Sequence, residues 1–384
     1  MKKHLPNLDG LRFIAASTVL FYHIDLALVM NKYKSNTIDY FPFGFGELSV
    51  VLFFVLSGFI ITYLLINENA NKGISIPQFY LKRVLRIWPL YYLIIILAFV
   101  FFNHNPLFTW IGGTSNVIIQ GHRSIITVLL LFICPNIALI FTPSLGYANP
   151  TWSIGVEEQF YLIWPFIMKT KKPLYYIFSI IVLMLFLSNN GILHILNHFH
   201  ILSNTGLKLN LFFNSSYGFK IDAMAIGALG AFIAIEYTYF LKYIFSKTAQ
   251  LLFYLLMIPL LFYPHIVSYQ VYCLFFIFLI LNLAINDDSI LRMENQIFKY
   301  LGKISYGIYI FHGLTIIPVI KLVTGVLNLK VNIISETLIC LIALVITIGI
   351  ASISYKYFES YFLKLKDRIT GKGNKLVLRS EQSI

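Results

Sequence analysis

The sequence predicts an all-α, polytopic membrane bundle of about ten transmembrane helices, with one interfacial or re-entrant segment near 124–141. Three observations lead there. The chain is 58% hydrophobic and only 12% charged, with a mean hydropathy of +0.78, against roughly 25% charged residues in soluble domains. Apolar runs long enough to approach the ~30 Å hydrocarbon core recur from end to end. The basic residues gather in short clusters between those runs, which is how membrane topology is set. That clustering also disposes of the nucleic-acid reading that a formal charge of +13 invites. A length of 384 residues would allow two domains, but no polar stretch is large enough for a separate soluble activity. Residues 1–360 are therefore expected to form one membrane domain, followed by a basic tail over 361–384.

Eleven apolar runs can be marked: 11–30, 48–66, 84–103, 124–141, 151–168, 174–190, 217–237, 248–264, 268–285, 303–320 and 333–355. The first is too long, and too closely followed by others, for a cleaved signal peptide. If all eleven cross with the N-terminus inside, the 29 Lys and Arg residues divide 11 inside to 18 outside, against the positive-inside rule. If 124–141 stays on the outer side, 22 fall inside and 7 outside. Pro135, Asn136 and Pro143 interrupt that run, and a proline inside a helix breaks or kinks it. Ten spans with both termini cytoplasmic follow. Two sizeable outer loops, 104–150 and 191–216, then carry His104, His122, His194, His198 and His200. The His194, His198, His200 spacing lacks an adjoining cysteine or carboxylate, so no metal site is expected. Cys134, Cys273 and Cys340 sit in apolar surroundings without paired spacing, as ordinary core residues do.

Four stretches place ionisable groups where packing explains them poorly. In the first run, eleven steps of about 100° bring His23 to within about 20° of Arg12 on one stripe, about 16 Å deeper along the axis. An ionisable side chain near the bilayer midplane usually faces the bundle interior or a watery cavity. The bland alternative for His23 is a packing hydrogen bond to a neighbouring helix. At the mouth of the third span, Arg83 and Arg86 are three apart and point the same way, with Lys82 adjacent. Anchoring at the inner face accounts for one or two such charges. The pair also suits a cytoplasmic polyphosphate such as coenzyme A, because a guanidinium grips phosphate oxygens in a two-pronged fork.

The run at 151–168 opens Thr151-Trp152-Ser153 and carries Glu157 and Glu158. Ser153, Tyr161 and Trp164 lie four and seven residues from Glu157, on its stripe, so Glu157 is the expected functional acid, partnered by a histidine or arginine, and Glu158 a flank. Finally Ser305, Tyr306 and His312 lie in one run, with Ser305 and His312 seven apart on one face and a second imidazole at mid-membrane depth. Asp222, near the outer end of the 217–237 run, is a further intramembrane ionisable group.

Taken in order, these motifs resemble a known family. Asp9-Gly10-Leu11-Arg12 with His23, Phe53-Phe54-Val55-Leu56-Ser57-Gly58-Phe59, the Arg83, Arg86 and Pro89 set, Trp152-Ser153 through Glu157 to Phe160-Tyr161, and Ser305-Tyr306 to His312 are similar to the signature of the acyltransferase-3 family. Those proteins are integral-membrane O-acyltransferases that modify bacterial surface glycans and some small molecules. The resemblance runs from Asn7 to about Glu359. It departs at Val51, where members often carry an acid before the Phe-Phe, and at Glu359, followed here by Ser360-Tyr361 where members usually have Glu-x-Pro. A stand-alone form is expected, lacking the C-terminal hydrolase-like domain of some members.

The resemblance implies His23 as the catalytic residue, Arg12 as its support, and Arg83 and Arg86, with Lys82, as the site for acetyl-CoA or another acyl-CoA donor. The expected protein is then an O-acetyltransferase of the bacterial cytoplasmic membrane, working on a hydroxyl of a surface polysaccharide or its lipid-linked precursor, such as O-antigen, capsule or exopolysaccharide. Its partners are acyl-CoA, the glycan and membrane lipid, without nucleic acid or metal. An imidazole, titrating ordinarily near about 6.5, suits a general base on that hydroxyl; it equally suits an acylated relay. Glu157 or Arg12 would hold its tautomer. Two other classes stay open on the residues alone: a glycan exporter or lipid-linked sugar flippase whose buried charges line a pathway, and a sensor that binds acyl-CoA without turnover.

Overall fold

A computed structural model describes residues 5–33, 35, 44–102, 105, 122–142, 144–188, 212–213, 215, 217–263 and 266–369. Among these the chain is helical, without strands. The helices are α1 (Leu8–Met30), α2 (Phe45–Lys72), α3 (Ile76–Val100), α4 (Arg123–Leu131), α5 (Pro135–Ala138), α6 (Trp152–Lys169), α7 (Pro173–Phe186), α8 (Ile221–Ile235), α9 (Leu241–Ile244), α10 (Lys247–Phe262), α11 (Tyr269–Ala284), α12 (Gln296–Lys303), α13 (Ser305–Lys321), α14 (Ile333–Ser354) and α15 (Ser360–Ile369). A 3₁₀ turn, Gly146–Thr151, leads into α6, and π-helical turns at Leu322–Val326 and Tyr355–Glu359 extend α13 and join α14 to α15.

Five of these elements are long and apolar enough to cross a membrane: α1, α2, α3, α13 with its π turn, and the continuous stretch from α14 through α15. A sixth span results if α8 is counted with the segment Thr238–Ile244, bent from it by 86°. Among the described residues the ten spans expected from the sequence are therefore not confirmed. The reason is helix length. α7, α10 and α11 hold 14, 16 and 16 residues, about 21–24 Å at 1.5 Å per residue, short of the ~30 Å core. α6 is longer, at 18 residues, but carries Glu157, Glu158 and Lys169. The segment at 124–141 divides as its prolines suggest: α4 has nine residues, the chain turns at Ile133–Cys134, and α5 starts at Pro135. Nine residues rise only about 14 Å.

Helix approach is closest between α2 and α8. A Cβ on Gly58 would run into the carbonyl of Met224, and one on Gly227 into the carbonyl of Val55. Two glycines from facing helices thus let the backbones touch, the usual route to tight association where no hydrophobic driving force distinguishes helix from lipid. α1 is pinned at its start. Asn7 adopts φ 63°, a left-handed conformation asparagine tolerates. Its amide donates to the Leu283 carbonyl at 2.8 Å and its oxygen accepts from the Met293 N–H at 2.6 Å. Farther along, Leu20, Ile24, Ala27 and Leu28 of α1 pack with Ile316, Ile320 and Ile339 in a second apolar cluster across α13 and α14. The first nine residues of the expected basic tail fold onto the body as part of α15, which lies against α3. Residues 370–384 lie outside the described part.

Candidate functional site

The inner stripe of α2 shapes the site. Val50, Phe53, Phe54, Ser57, Ile60, Ile61 and Leu64 recur at helical spacing along one face and line a cavity of ≈ 150 Å³. Fourteen residues of rise make that lining about 21 Å long. Against it stand Arg12 from α1, Arg83, Arg86 and Ile87 from α3, Ser153, Ile154, Glu157 and Tyr161 from α6, and Ser305, Tyr306 and Tyr309 from α13. Arg86 and Leu64 are exposed, whereas Arg12, Arg83 and Ser57 are half-buried. The cavity therefore meets the surface at the arginine end and follows α2 inward.

Three guanidiniums share this space with one carboxylate. Asp9 holds Arg12 by an i,i+3 ion pair of 3.0 Å. Arg83 lies over the rings of Phe79 and Tyr161, at 5.8 and 5.6 Å, and its Nε is buried without a hydrogen-bond partner. Glu157 is attracted by Arg86, Arg83 and Arg12. The Ser57 hydroxyl donates to Glu157 Oε1 at 2.7 Å, and the Tyr161 hydroxyl stands 3.1 Å from the same serine oxygen. With the serine proton directed at the carboxylate, tyrosine is the donor of that second bond. Glu158 turns the other way: Trp88 Nε1 donates to its Oε2 at 3.2 Å, and Oε1 is buried without a partner. Trp164, on the same α6 stripe as Glu157, donates to Thr62 at 2.8 Å and leaves the cavity to its neighbours.

Behind Tyr309, outside the cavity lining, stand two imidazoles. His23 is half-buried, and its Nδ1 lies 2.8 Å from the Val19 carbonyl on its own helix. A carbonyl only accepts, so Nδ1 bears the proton and Nε2 keeps its lone pair. Its tautomer is thus set by Val19, while Glu157 is engaged by Ser57 and Arg12 by Asp9. His312 is fully buried, its Nδ1 bonded to the Tyr309 carbonyl. The two rings lie 4.9 Å apart, centre to centre. Tyr309 links them to the cavity: its ring is 5.8 Å from that of His312, and its hydroxyl sits 2.8 Å from Ser153 Oγ and donates to the Pro150 carbonyl at 3.1 Å. His23 does not line the cavity: its ring packs on His312, which packs in turn on Tyr309 of the cavity wall.

Of the residues singled out in the sequence, Arg12, Arg83, Arg86, Glu157, Ser153, Tyr161, Ser305 and Tyr306 converge on one cavity; His312 packs on Tyr309 of its wall, and His23 packs on His312. Two do not join. Lys82 is directed to Glu68, 3.8 Å away, alongside Lys72. Asp222 lies between α8 and α11, where both its oxygens accept from Tyr269, at 2.9 and 2.8 Å, and one also from Gln270 at 3.1 Å. His194, His198 and His200 lie outside the described residues. Sequence reasoning assigned no role to Ser57 or Tyr309, although both stood in quoted motifs. Each is a hydroxyl on an apolar helix in register with a residue already marked, Tyr309 with Ser305 and His312, and that register was the available signal.

The fold is thus that of a helical membrane protein whose cavity gathers three guanidiniums around one carboxylate. Comparison with known proteins makes the class specific. The acyltransferase-3 family model, described as an acyltransferase domain, matches residues 5–356. The chain belongs to this family. It is 28% identical over 188 residues to the peptidoglycan O-acetyltransferase OatA of Listeria monocytogenes, covering 45% of this chain and 26% of that protein. It is 30% identical over 200 residues to the putative peptidoglycan O-acetyltransferase YrhL of Bacillus subtilis, covering 47% and 27%. A putative O-acetyltransferase of Staphylococcus aureus, SACOL0978, matches at 24% over 395 residues, 94% of this chain and 58% of the relative. The matches thus span from about a quarter to somewhat over half the length of these relatives. No solved structure matches the chain.

Proposed function

We propose that the protein is an O-acyltransferase, most readily an O-acetyltransferase, which moves an acyl group from a cytoplasmic acyl-CoA to a hydroxyl of a cell-wall or cell-surface glycan. The observation that carries the reading is the convergence of Arg12, Arg83 and Arg86 with Glu157 on one cavity, from whose wall Tyr309 and then His312 lead to His23. The relatives named above as O-acetyltransferases support acetyl and glycan as the two substrate classes. In this reading both termini and the arginine mouth face the cytoplasm.

The donor's phosphates bind Arg86 at the surface and Arg83 within, where paired guanidiniums hold phosphate oxygens bidentately. Its thioester enters along the α2 stripe toward His23. The acceptor hydroxyl arrives from the outer face. His23 Nε2, the nitrogen left free by Val19, takes the hydroxyl proton as the oxygen attacks the thioester carbonyl. The carbon–sulfur bond breaks, and the leaving thiolate takes up that proton as free coenzyme A thiol. Ser57 and Tyr161 fix Glu157 between the guanidiniums, so the arginines stay extended into the cavity rather than folding onto one another.

The test is acyl transfer by purified protein in lipid, from radiolabelled acetyl-CoA to a glycan acceptor. His23→Ala is expected to abolish transfer with membrane insertion and acyl-CoA binding intact, and Arg86→Ala to raise KM for the donor. Undiminished transfer by His23→Ala would remove His23 from the mechanism. Glycan export without any transfer by the wild type would turn the reading toward the exporter class.

A further inference from the structure

His312 carries an atom that the proposed chemistry leaves unused. The residue is 0% exposed, and its Nε2 is buried with no hydrogen-bond partner. A buried polar nitrogen left bare is disfavoured unless the site needs it. Its other nitrogen is committed to the Tyr309 carbonyl, so Nε2 is the unprotonated one and can only accept. The same holds for His23, whose Nδ1 faces Val19. Two neutral imidazoles, each with its Nδ1 proton on a backbone carbonyl of its own helix, thus stand 4.9 Å apart with both Nε2 lone pairs unspent. Such a pair has room for one proton and no more.

We infer that His312 is a positioning residue for His23: it accepts a hydrogen bond from His23 Nε2–H once His23 has taken the acceptor's proton. This rests on the functional reading above. The proton passes from the acceptor oxygen to His23 Nε2 as the new carbon–oxygen bond forms. The developing imidazolium then finds His312 Nε2 as its acceptor in place of water, until the proton leaves with the coenzyme A thiol. No proton is gained or lost by His312 in this cycle.

Its surroundings keep it there. Thr315 Oγ1 donates to the His312 carbonyl at 2.9 Å and stands 2.7 Å from Thr347 of α14, which fixes the turn of α13 that bears the ring. Other groups that titrate stand farther off. Tyr22 neighbours His23 edge-on at 5.2 Å, Glu47 of α2 acts on Tyr22, Glu157 of α6 acts on Tyr309, and Asp25 is bonded to Ser35 at 3.3 Å. The rings that stand against His312 are those of His23 and Tyr309.

Steady-state transfer from acetyl-CoA is the test, read as kcat and KM separately, with binding of a non-transferable acyl-CoA analogue as the check on folding. A hydrogen bond to a charged group supports a loss of about 10- to 100-fold in kcat for His312→Leu, with KM for the donor within about two-fold. His312→Gln offers an amide oxygen at a similar reach and is expected to recover most of that loss. Equal kcat for wild type and His312→Leu overturns the inference, as does an equal loss in both variants accompanied by lost analogue binding, which is the mark of a purely structural residue. A wild-type protein that binds the analogue but transfers nothing removes the functional reading itself, a result separable from failure of the His312 role alone.

Discussion

Two buried polar clusters lie in this bundle, and they are built on opposite principles. Around Asp222, both carboxylate oxygens are met by Tyr269, one also by Gln270, and Lys220 lies 4.6 Å over the Tyr269 ring. Around the cavity, Arg83 Nε, Glu158 Oε1 and His312 Nε2 are buried without a partner, and three guanidiniums face one paired carboxylate. A satisfied network rigidifies a helix contact, and an unsatisfied one is a place where a ligand's groups complete the count. An ionisable residue in the membrane is thus a weak indicator of function by itself. The state of its hydrogen bonds distinguishes the two cases, and only the cavity has the excess positive charge that an anionic donor would neutralise.

That contrast can be broken by substitution. The largest effect is expected for Glu157→Ala, which leaves Arg12, Arg83 and Arg86 around an uncompensated space. Removing one partner of a buried ionic set costs about 3–5 kcal/mol, so both a lowered thermal midpoint in detergent and loss of transfer are expected. Added coenzyme A should restore part of the midpoint, because its phosphates replace the missing negative charge. Next comes Asp222→Ala, which strands the Tyr269 hydroxyl and Gln270 amide at about 1–3 kcal/mol. Here the midpoint should fall without recovery on adding coenzyme A, and kcat should stay within about two-fold of wild type. A collapse of kcat in Asp222→Ala with the midpoint unchanged would place that cluster in the working site and end the distinction.

How far the sequence alone reaches can be seen from the same residues. Helical spacing marks Arg12 with His23, and Ser305 with His312, because a stripe repeats every 3.6 residues whatever the tertiary structure. It marks the break at Pro135 for the same local reason. It does not reveal that Glu158, adjacent to Glu157, turns to Trp88, nor that Val19 takes the His23 proton that Glu157 or Arg12 was expected to hold, since these depend on which neighbour lies nearer in space. Asp222 and the cavity residues look equally exceptional in sequence, as each is a charge within an apolar run. The count of spans fails differently. The marked runs extend to 190 and 285, whereas α7 and α11 end at Phe186 and Ala284, and an apolar run measures where lipid is tolerated rather than where a helix stops.

The smallest effect is expected at the inner rim. Lys82 adjoins Arg83 in sequence, yet its ammonium lies 3.8 Å from Glu68, which Lys72 also approaches at 3.8 Å. Such partly exposed pairs contribute about 0–1 kcal/mol, and Lys82 does not line the cavity. Lys82→Ala should therefore raise KM for acyl-CoA by less than about three-fold, where Arg86→Ala raises it at least about ten-fold through loss of a bidentate phosphate contact. Raising the salt concentration separates the two further, because a charge acting at a distance is screened over about 10 Å at 0.1 M and a direct bidentate contact is weakened less. A Lys82→Ala variant as impaired as Arg86→Ala, at low and high salt alike, would mean that the lysine leaves Glu68 when the donor binds. The donor site would then extend past the arginines onto the loop that joins α2 to α3.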